Sequence, residues 1–222
     1  MTTWQGVIFG TERGADAGRV VGIQLMNSYL TGDVPAVFGG LTALKSLELS
    51  GNNLTSVPVE LGGLTALKTL DLGGNQLTTV PAELGGLTAL KILNLHGIQL
   101  TSLPEALGWA RLTMLIGLDL SQNQLTSVPT QLGALTALKM LYLDGNPLTS
   151  VPAELKEGGA LEKSGCVIVR NGDENDDDED NEDNADRGLH SLTPQLLLSA
   201  FYGKESARRG CVAHVKGVLG GV

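Results

Sequence analysis

The stretch LTALKTLDLGGNQLTTVPAELGG, residues 64–86, is followed at 87–109 by LTALKILNLHGIQLTSLPEALGW, which repeats most of its positions. The first apolar position of each LxxLxLxxN segment recurs seven times between residues 20 and 161, at Val20, Leu44, Leu67, Leu90, Leu115, Leu138 and Leu161. The intervals between these positions are 24, 23, 23, 25, 23 and 23 residues. Self-similarity at a fixed period of this size is typical of a solenoid. We therefore predict stacked coils over residues 20–172.

The apolar residues within one unit are spaced by three positions and then by two. Leu67 is followed by Leu70 and Leu72, and Pro81 precedes Leu84. Neither the helical period nor the strand period alone gives this mixture. The spacing predicts a short strand in which Leu70 and Leu72 point inward, and a short helical turn that has Pro81 at its first position.

The pattern LxxLxLxxNxLTxVPxELGxLTAL resembles the leucine-rich repeat, and its 23-residue LTSVP form is similar to intracellular Ras-suppressor-like repeats. Residues 30–41, LTGDVPAVFGGL, are similar to plant-type repeats, and Trp4, Gly6 and Val7 are similar to the end of a plant-type N-terminal cap. The resemblance implies an α/β fold. In this fold a right-handed solenoid carries parallel short strands on its concave face and short helical turns or loops on its convex face. Residues 1–19 are then a partial N-terminal cap.

A single unit of this kind cannot fold by itself. Each inward apolar residue contributes about 1.5–3 kcal/mol if fully buried, whereas ordering the backbone costs about 1–2 kcal/mol for every residue. Stacking covers each unit with its neighbours, so the two ends of the array need caps. We predict that residues 161–170, LEKSGCVIVR, form a degenerate closing unit. In this unit Ser164 and Cys166 replace two leucines, and Val169 replaces the asparagine.

The asparagine that ends each LxxLxLxxN segment has a structural role implied by the resemblance, in which its side-chain amide bonds backbone groups at the corner after the strand. We call these four residues, Asn52, Asn75, Asn123 and Asn146, the asparagine ladder. Ser28 and Ile98 take the equivalent positions in two other units. The one interval of 25 residues places two extra residues in the stretch 108–115, where we expect Trp109 to cover a bulge on the convex side.

The concave face should carry three columns of side chains, because the residues that alternate with the inward leucines point to the opposite side of each strand. Six strands about 4.8 Å apart make a strip about 24 Å across, which suits a partner helix, loop or peptide. Apolar and aromatic side chains are favoured at the centres of protein interfaces. The predicted partner-binding residues are Ile92, Asn94, His96, Asp119, Met140, Tyr142 and Asp144. The alternative is a solvated sheet face without a dedicated partner.

The charge of the chain is unevenly distributed. Ten of the 24 acidic residues lie in residues 173–186, which leaves 14 acids against 15 lysines and arginines elsewhere and gives no basic surface for nucleic acid. Residues 173–186 are predicted to be a disordered acidic linker, and residues 187–222 a weakly structured basic tail. The acidic run does not fit a calcium loop, because Asp178 stands at the glycine position and Asn184 at the final glutamate position. Weak binding of a divalent cation or a basic partner is the alternative role for this run.

Catalysis is not expected from this sequence. His96, Ser121 and Asp119 should lie on neighbouring strands and would offer a base, a hydroxyl and a carboxylate. An open strip gives them neither a pocket that excludes water nor a pair of oxyanion donors. The sequence also lacks a P-loop, a kinase signature and an HExxH motif. We therefore predict no catalytic residue, no metal and no cofactor.

The two cysteines, Cys166 and Cys211, have no CxxC or Cys/His partner nearby, which favours a reducing compartment. The N-terminus does not have the pattern of a signal peptide, and no run of 18 apolar residues indicates a membrane span. We predict a cytoplasmic, monomeric, non-catalytic module that binds a protein or peptide for scaffolding or signalling. The alternatives are a ligand-recognition fragment of a larger repeat-containing receptor, kinase or Ras-like GTPase, and an extracellular recognition protein whose secretion signal lies before Met1.

Overall fold

A computed structural model of the protein describes residues 6–10 and 15–171 of the 222-residue chain. Its strands are Val7–Phe9 (β1), Val20–Gln24 (β2), Thr31–Asp33 (β3), Ser46–Glu48 (β4), Asn53–Ser56 (β5), Thr69–Asp71 (β6), Ile92–Asn94 (β7), Gly117–Asp119 (β8), Met140–Tyr142 (β9) and Val167–Val169 (β10). Within the described residues, β3 and β5 form a small sheet, and the other strands form one sheet in the order β1-β2-β4-β6-β7-β8-β9-β10. All neighbours in the large sheet are parallel except β1 and β2.

Short 3-10 helices lie between the strands, on the opposite side of each coil. They span Ala36–Gly40 (η1), Val59–Gly63 (η2), Ala82–Gly86 (η3), Glu105–Leu107 (η4), Trp109–Arg111 (η5), Thr130–Ala134 (η6) and Ala153–Leu155 (η7), and one α-helical turn spans Ala160–Lys163 (α1). Pro81 immediately precedes η3 in an extended conformation. The predicted helical turn is therefore present, but its proline is the N-cap residue and not the first residue of the helix.

The inward leucines of successive strands are aligned, which makes one continuous core. Leu70 is paired with Leu47 on one side and with Leu93 on the other, and Leu118 and Leu141 continue the row. Each of these five side chains is at most 1% exposed. Burying apolar surface between coils is the main stabilising contribution available to such a chain. The predicted solenoid of parallel short strands and helical turns is confirmed.

The asparagine ladder lies inside the coils, at the corner after each strand. The Asn75 amide nitrogen donates to the carbonyls of Leu49, Leu72 and Gly73 at 3.1, 2.8 and 3.3 Å. Its Oδ1 accepts from the Leu54 N–H at 3.0 Å. One side chain thus joins the backbones of two neighbouring coils. The same arrangement recurs at Asn52, Asn123 and Asn146.

The closing unit is present, but its predicted register is wrong. In β10 it is Ile168 that pairs with Leu141 and points inward, whereas Ser164 is exposed. The interval between these paired residues is 27 and not 23, because α1 lengthens this coil. Cys166 is 4% exposed, as expected for a small buried side chain. Val169 therefore does not stand at an asparagine position.

The long interval in the fifth unit is absorbed on the convex side, as the spacing predicts. Gly108 adopts a left-handed conformation, with φ at 66°, and separates η4 from η5. Trp109, the first residue of η5, is completely buried. The expectation that it covers a bulge on the convex side is wrong, because its side chain is part of the buried core.

The first coil has two features that the repeat pattern does not indicate by itself. β1 pairs antiparallel with β2 and so covers the first parallel strand of the sheet. β3 pairs with β5 on the flank of the solenoid. Trp4, the acidic run 173–186 and the tail 187–222 lie outside the described residues, so the domain boundaries that depend on them remain predictions.

Candidate functional site

The concave face carries three columns of side chains. The strand register aligns the residues of the first two columns directly, and the third column lies two residues further along the chain than the second. The first column is Gly22, Ser46, Thr69, Ile92, Gly117 and Met140, and the second is Gln24, Glu48, Asp71, Asn94, Asp119 and Tyr142. The third column, whose residues each follow a residue of the second column by two positions, is Met26, Ser50, Gly73, His96, Ser121 and Asp144. The seven predicted partner-binding residues therefore occupy neighbouring positions on this face.

Two of those seven residues are less accessible than the sequence suggests. Ile92 is 2% exposed and Tyr142 is 6% exposed, so both offer little surface to a partner in this structure, and their role in binding stays a prediction. Ile92 extends over the neighbouring strand at Gly117, where its Cδ1 lies 3.1 Å from the place that a β-carbon would occupy. The Tyr142 hydroxyl lies 3.9 Å from the sulfur of Met140. Side chains on this face fill gaps left by small neighbours.

The other five residues remain partly accessible and form one surface, on β7, β8 and β9 and in the turns that follow β7 and β9. We call this surface the half-buried patch, and it consists of Asn94, His96, Asp119, Met140 and Asp144. Because β7 to β9 are held in register by backbone hydrogen bonds, the patch has a fixed geometry before any partner arrives. Preorganised contact groups lower the entropy cost of binding.

The N-terminal half of the second column holds two buried carboxylates. Glu48 is 3% exposed and Asp71 is 1% exposed. The Ser46 hydroxyl donates to Glu48 at 2.7 Å. The Ser50 hydroxyl and the Gly73 N–H donate to Asp71 at 2.8 and 3.1 Å. The sequence places these acids on an accessible strip, but the folded chain shields them from solvent.

Burial raises the pKa of Asp71 to about 6 from its ordinary value of 3.8, against the opposing effect of the hydrogen bond from Ser50. The charge of Glu48 raises it further. Because the pKa is higher in the folded than in the unfolded state, stability should fall as the pH rises between about 4 and 6 and stay reduced above that range. This difference between the pKa values of the unfolded and folded states corresponds to about 3 kcal/mol.

We expect Asp71→Asn to stabilise the protein at neutral pH, because asparagine removes the buried charge and can still accept from the Gly73 N–H. The gain should reach about 3 kcal/mol near pH 7.5 and shrink towards about pH 4. Chemical unfolding followed by circular dichroism at both pH values measures it. Glu83→Gln, which removes one exposed charge on the convex side, is the matched control. A gain that does not depend on pH would contradict the prediction.

A hydrogen-bonded chain of three side chains crosses the half-buried patch. His96 Nδ1 lies 2.9 Å from the Ser121 hydroxyl, and that hydroxyl donates to Asp119 Oδ1 at 2.5 Å. The Ser121 N–H donates to the same oxygen at 2.9 Å. Since the hydroxyl proton is directed at the carboxylate, His96 faces a lone pair of Ser121 and donates to it. The chain fixes the orientation of Asp119.

Two further groups, one on this face and one in the closing coil, are held in their neutral forms. Burial, assisted by the carboxylates of Asp119 and Asp144, raises the pKa of Tyr142 above its ordinary value. Burial also raises the pKa of the Cys166 thiol to about 11. A protonated thiol is a poor nucleophile and a poor metal ligand. Among the described residues, no group of three or more His, Cys, Asp or Glu side chains could hold a metal ion.

The residues that sequence reasoning undervalued on this face are the small ones. Ser121 is 2% exposed and orients Asp119, a role that the sequence does not indicate. Gly73 leaves a space that the Asn94 amide fills, with Asn94 Nδ2 2.9 Å from the position of a β-carbon at residue 73. The sequence contains a sign of this packing. Within a column, a small residue on one strand is next to a larger residue on the neighbouring strand, which can cover it.

Comparison with protein families connects this fold to a known group. A leucine rich repeat model matches residues 19–77 and 88–148, and a two-copy leucine rich repeat model matches residues 65–108. The chain belongs to the leucine-rich repeat family. Repeats of this family build extended concave surfaces and are typical of protein interaction modules. The match does not extend to a repeat subtype, so the Ras-suppressor-like assignment remains a prediction.

Solved leucine-rich repeat structures share the fold. The protein LIC12759 of Leptospira interrogans is 36% identical, with a TM-score of 0.54, and the match covers 61% of this chain and 33% of that one. The ectodomain of the receptor kinase SOBIR1 from Arabidopsis thaliana is 30% identical, with a TM-score of 0.58, over 67% of this chain and 83% of that one. A chain of the BIR3–SERK2 complex from Arabidopsis thaliana is 28% identical, with a TM-score of 0.54, over 75% of this chain and 80% of that one.

The extent of the likeness differs between the known proteins. The matched part of this chain spans about a third of the length of the Leptospira protein. A comparison with curated protein sequences finds no significant match. In the ranges that the structure describes, no helix is long and apolar enough to cross a membrane.

Proposed function

We propose that this leucine-rich repeat chain is a non-catalytic module that binds a protein or peptide on its concave face. The observation that carries the proposal is the half-buried patch, in which polar, charged and thioether side chains share one surface on three paired strands. A sheet face of this kind offers a partner fixed hydrogen-bonding groups next to apolar area. Protein interfaces combine the same two elements.

The geometry of the Ser121 hydrogen bonds supports the non-catalytic role. Nucleophilic catalysis requires a base that accepts the hydroxyl proton, with a third group that orients the base. Here Asp119 accepts that proton, and His96 contacts the hydroxyl oxygen from the other side. The order of the three groups therefore favours a structural hydrogen-bond chain. Ser121 is also buried, which keeps a substrate away from its hydroxyl.

We propose that the module works as a monomer in the cytoplasm, in scaffolding or signalling. The similarity of its repeats to intracellular Ras-suppressor-like repeats supports this setting, and so does the pattern of its cysteines. Cys166 is a free, buried thiol in the closing coil, consistent with a chain that does not depend on disulfide bonds there. Size-exclusion chromatography with light scattering tests the monomeric state.

A second candidate function is ligand recognition within a larger repeat-containing receptor, kinase or Ras-like GTPase. The specific observation in its favour is the likeness to the SOBIR1 receptor kinase ectodomain, which the match covers over 83% of its length. Microscopy of the full-length product with a fluorescent tag distinguishes the two candidates. A diffuse cytosolic signal supports the first candidate, and a secretory or cell-surface signal supports the second.

Affinity capture with two arginine variants tests binding through the concave face. Met140→Arg places a long charged side chain within the half-buried patch, whereas Gln124→Arg places the same side chain at an exposed position away from it. We expect proteins captured by the wild type to be retained by Gln124→Arg and lost with Met140→Arg. Both variants must first show the wild-type circular dichroism spectrum and melting temperature. Equal capture by the two variants would exclude the concave face as the binding surface.

A further inference from the structure

The concave face has a charge of one sign. Its three columns contain four carboxylates and no lysine or arginine. Two of the carboxylates, Glu48 and Asp71, are buried, while Asp119 and Asp144 belong to the half-buried patch. The nearby Lys139 extends towards the closing coil, where its ammonium group donates to the Ser164 carbonyl at 3.1 Å. A partner that contacts the patch therefore meets negative charge.

Asp119 is a partly accessible carboxylate with a defined orientation. The Ser121 N–H and hydroxyl both donate to Asp119 Oδ1, and His96 Nδ1 is hydrogen-bonded to the same hydroxyl. These bonds fix the carboxylate plane while using a single oxygen. Because Asp119 is half-buried, Oδ2 can accept hydrogen bonds from a group that approaches the concave face. An oriented carboxylate is the arrangement that favours a charge-assisted bond to an ammonium or guanidinium group.

The surroundings of Asp119 strengthen such a bond. Tyr142 stands at the paired position on β9 and is nearly buried, and Ile92 is buried on β7. Apolar and aromatic neighbours lower the local dielectric response, which increases the attraction between unlike charges. The partly exposed side chain of Met140, also on β9, provides area on which the aliphatic stem of a lysine or arginine can lie. The negative charge of Asp119 and the apolar surface beside it therefore both favour a lysine or arginine side chain of the partner.

We propose that Asp119 is the anchor point for an arginine or lysine side chain of a protein partner bound on the concave face. This inference rests on the proposed function and adds the chemistry of the partner to it. The partner is a segment of another protein and not the chain's own basic tail. The tail's net charge of +4 in residues 187–222 follows directly after the ten acids of residues 173–186, which compensate it within the same chain.

A displayed library of random linear peptides, selected on the full-length chain, tests the proposal. We expect the enriched peptides to share a basic residue and to bind less tightly as ionic strength rises. Substituting that residue by alanine in a synthetic peptide, or introducing Asp119→Asn in the protein, should each weaken binding about 10-fold, because either change removes one charge-assisted bond. Asparagine at position 119 keeps an acceptor for Ser121, so the fold should be unaffected.

Asp71→Asn is the matched control for charge. It removes one carboxylate from the same column, two strands away, but from a side chain that is 1% exposed. We expect this variant to bind the selected peptide with wild-type affinity. Equal weakening by both variants would show that only the net charge matters and would overturn the assignment to Asp119.

The remaining outcomes separate this inference from the proposed function. Some peptides could lose binding to Met140→Arg but carry no basic residue, or bind Asp119→Asn as tightly as the wild type. Either result would contradict the role of Asp119 as an anchor for a cation and would still support binding on the concave face. Peptides that still bind Met140→Arg, or a library that yields no binder, contradict the proposed function as well. Tighter binding to an Arg208→Ser, Arg209→Ser double variant would identify the chain's own tail as the occupant and overturn the partner in trans.

Discussion

Replacing Gly85 by alanine should destabilise the solenoid strongly. A β-carbon at this position would lie 1.7 Å from the carbonyl oxygen of Leu107 in the next coil, a distance that no side-chain movement can relieve because the obstacle is backbone. The two coils would have to separate, and their shared core would open. Overpacking of this kind costs about 3 kcal/mol, and a backbone clash belongs at the upper end of the range.

The matched control is Gly63→Ala, because Gly63 also lies at the C-terminal end of a 3-10 helix but has open space where the β-carbon would lie. There the substitution should be neutral or raise stability by up to about 1 kcal/mol, since alanine restricts the unfolded chain. Urea unfolding midpoints, followed by far-ultraviolet circular dichroism, compare the two variants. Similar midpoints for both would show that Gly85 is not a point of contact between coils.

The second large effect is expected for Asn123→Ala. The Asn123 amide nitrogen donates to the carbonyls of Leu95, Leu120 and Ser121 at 2.8, 2.9 and 3.1 Å. Its Oδ1 accepts from the N–H groups of Ile98 and Leu100 at 3.1 and 3.0 Å. Alanine would leave buried backbone groups in two coils without these partners, and each such group costs about 1–3 kcal/mol. A total loss of about 3 kcal/mol or more is expected.

Asn123 is the ladder residue for which compensation is least available. The equivalent residue in the preceding coil is Ile98, which is fully buried and has no polar side-chain atom. Gln124→Ala, at the adjacent exposed position, is the control and should change the melting temperature little. Differential scanning calorimetry measures both variants. If they melt within a degree or two of each other, water or a rearranged backbone replaces the amide, and the ladder is not essential there.

The repeat pattern was sufficient to predict the core of this protein. The leucines at Leu70 and Leu93, the helical turn after Pro81 and the position of the extra residues near Gly108 all follow from the spacing along the chain. Spacing suffices for these features because the same contacts recur in every coil, so an inward residue in one unit meets its counterpart in the next. The closing coil departs from this rule, since α1 lengthens it and brings Ile168 into the inward position.

The candidate site was only partly predictable from the sequence. Strand alternation placed Asn94 and Asp119 on the concave face, and the strand register agrees. It did not give their accessibility, because exposure depends on the residue at the paired position of the next strand. Ile92 is shielded because that position holds Gly117, and Gly117 is 25 residues away in the chain. The sequence of one repeat alone therefore cannot predict this contact.

By itself, the sequence determined that the chain is a leucine-rich repeat solenoid, which residues face inward and which columns face the concave side, because periodicity fixes direction. Only the tertiary structure decided that Asp71 is a buried carboxylate with a raised pKa and that Asp119 is an oriented, accessible one. Both are aspartates in the same column, at the equivalent position of two different repeats. Their chemical difference arises because burial and hydrogen bonding depend on neighbouring coils, and those neighbours are brought together only when the coils stack.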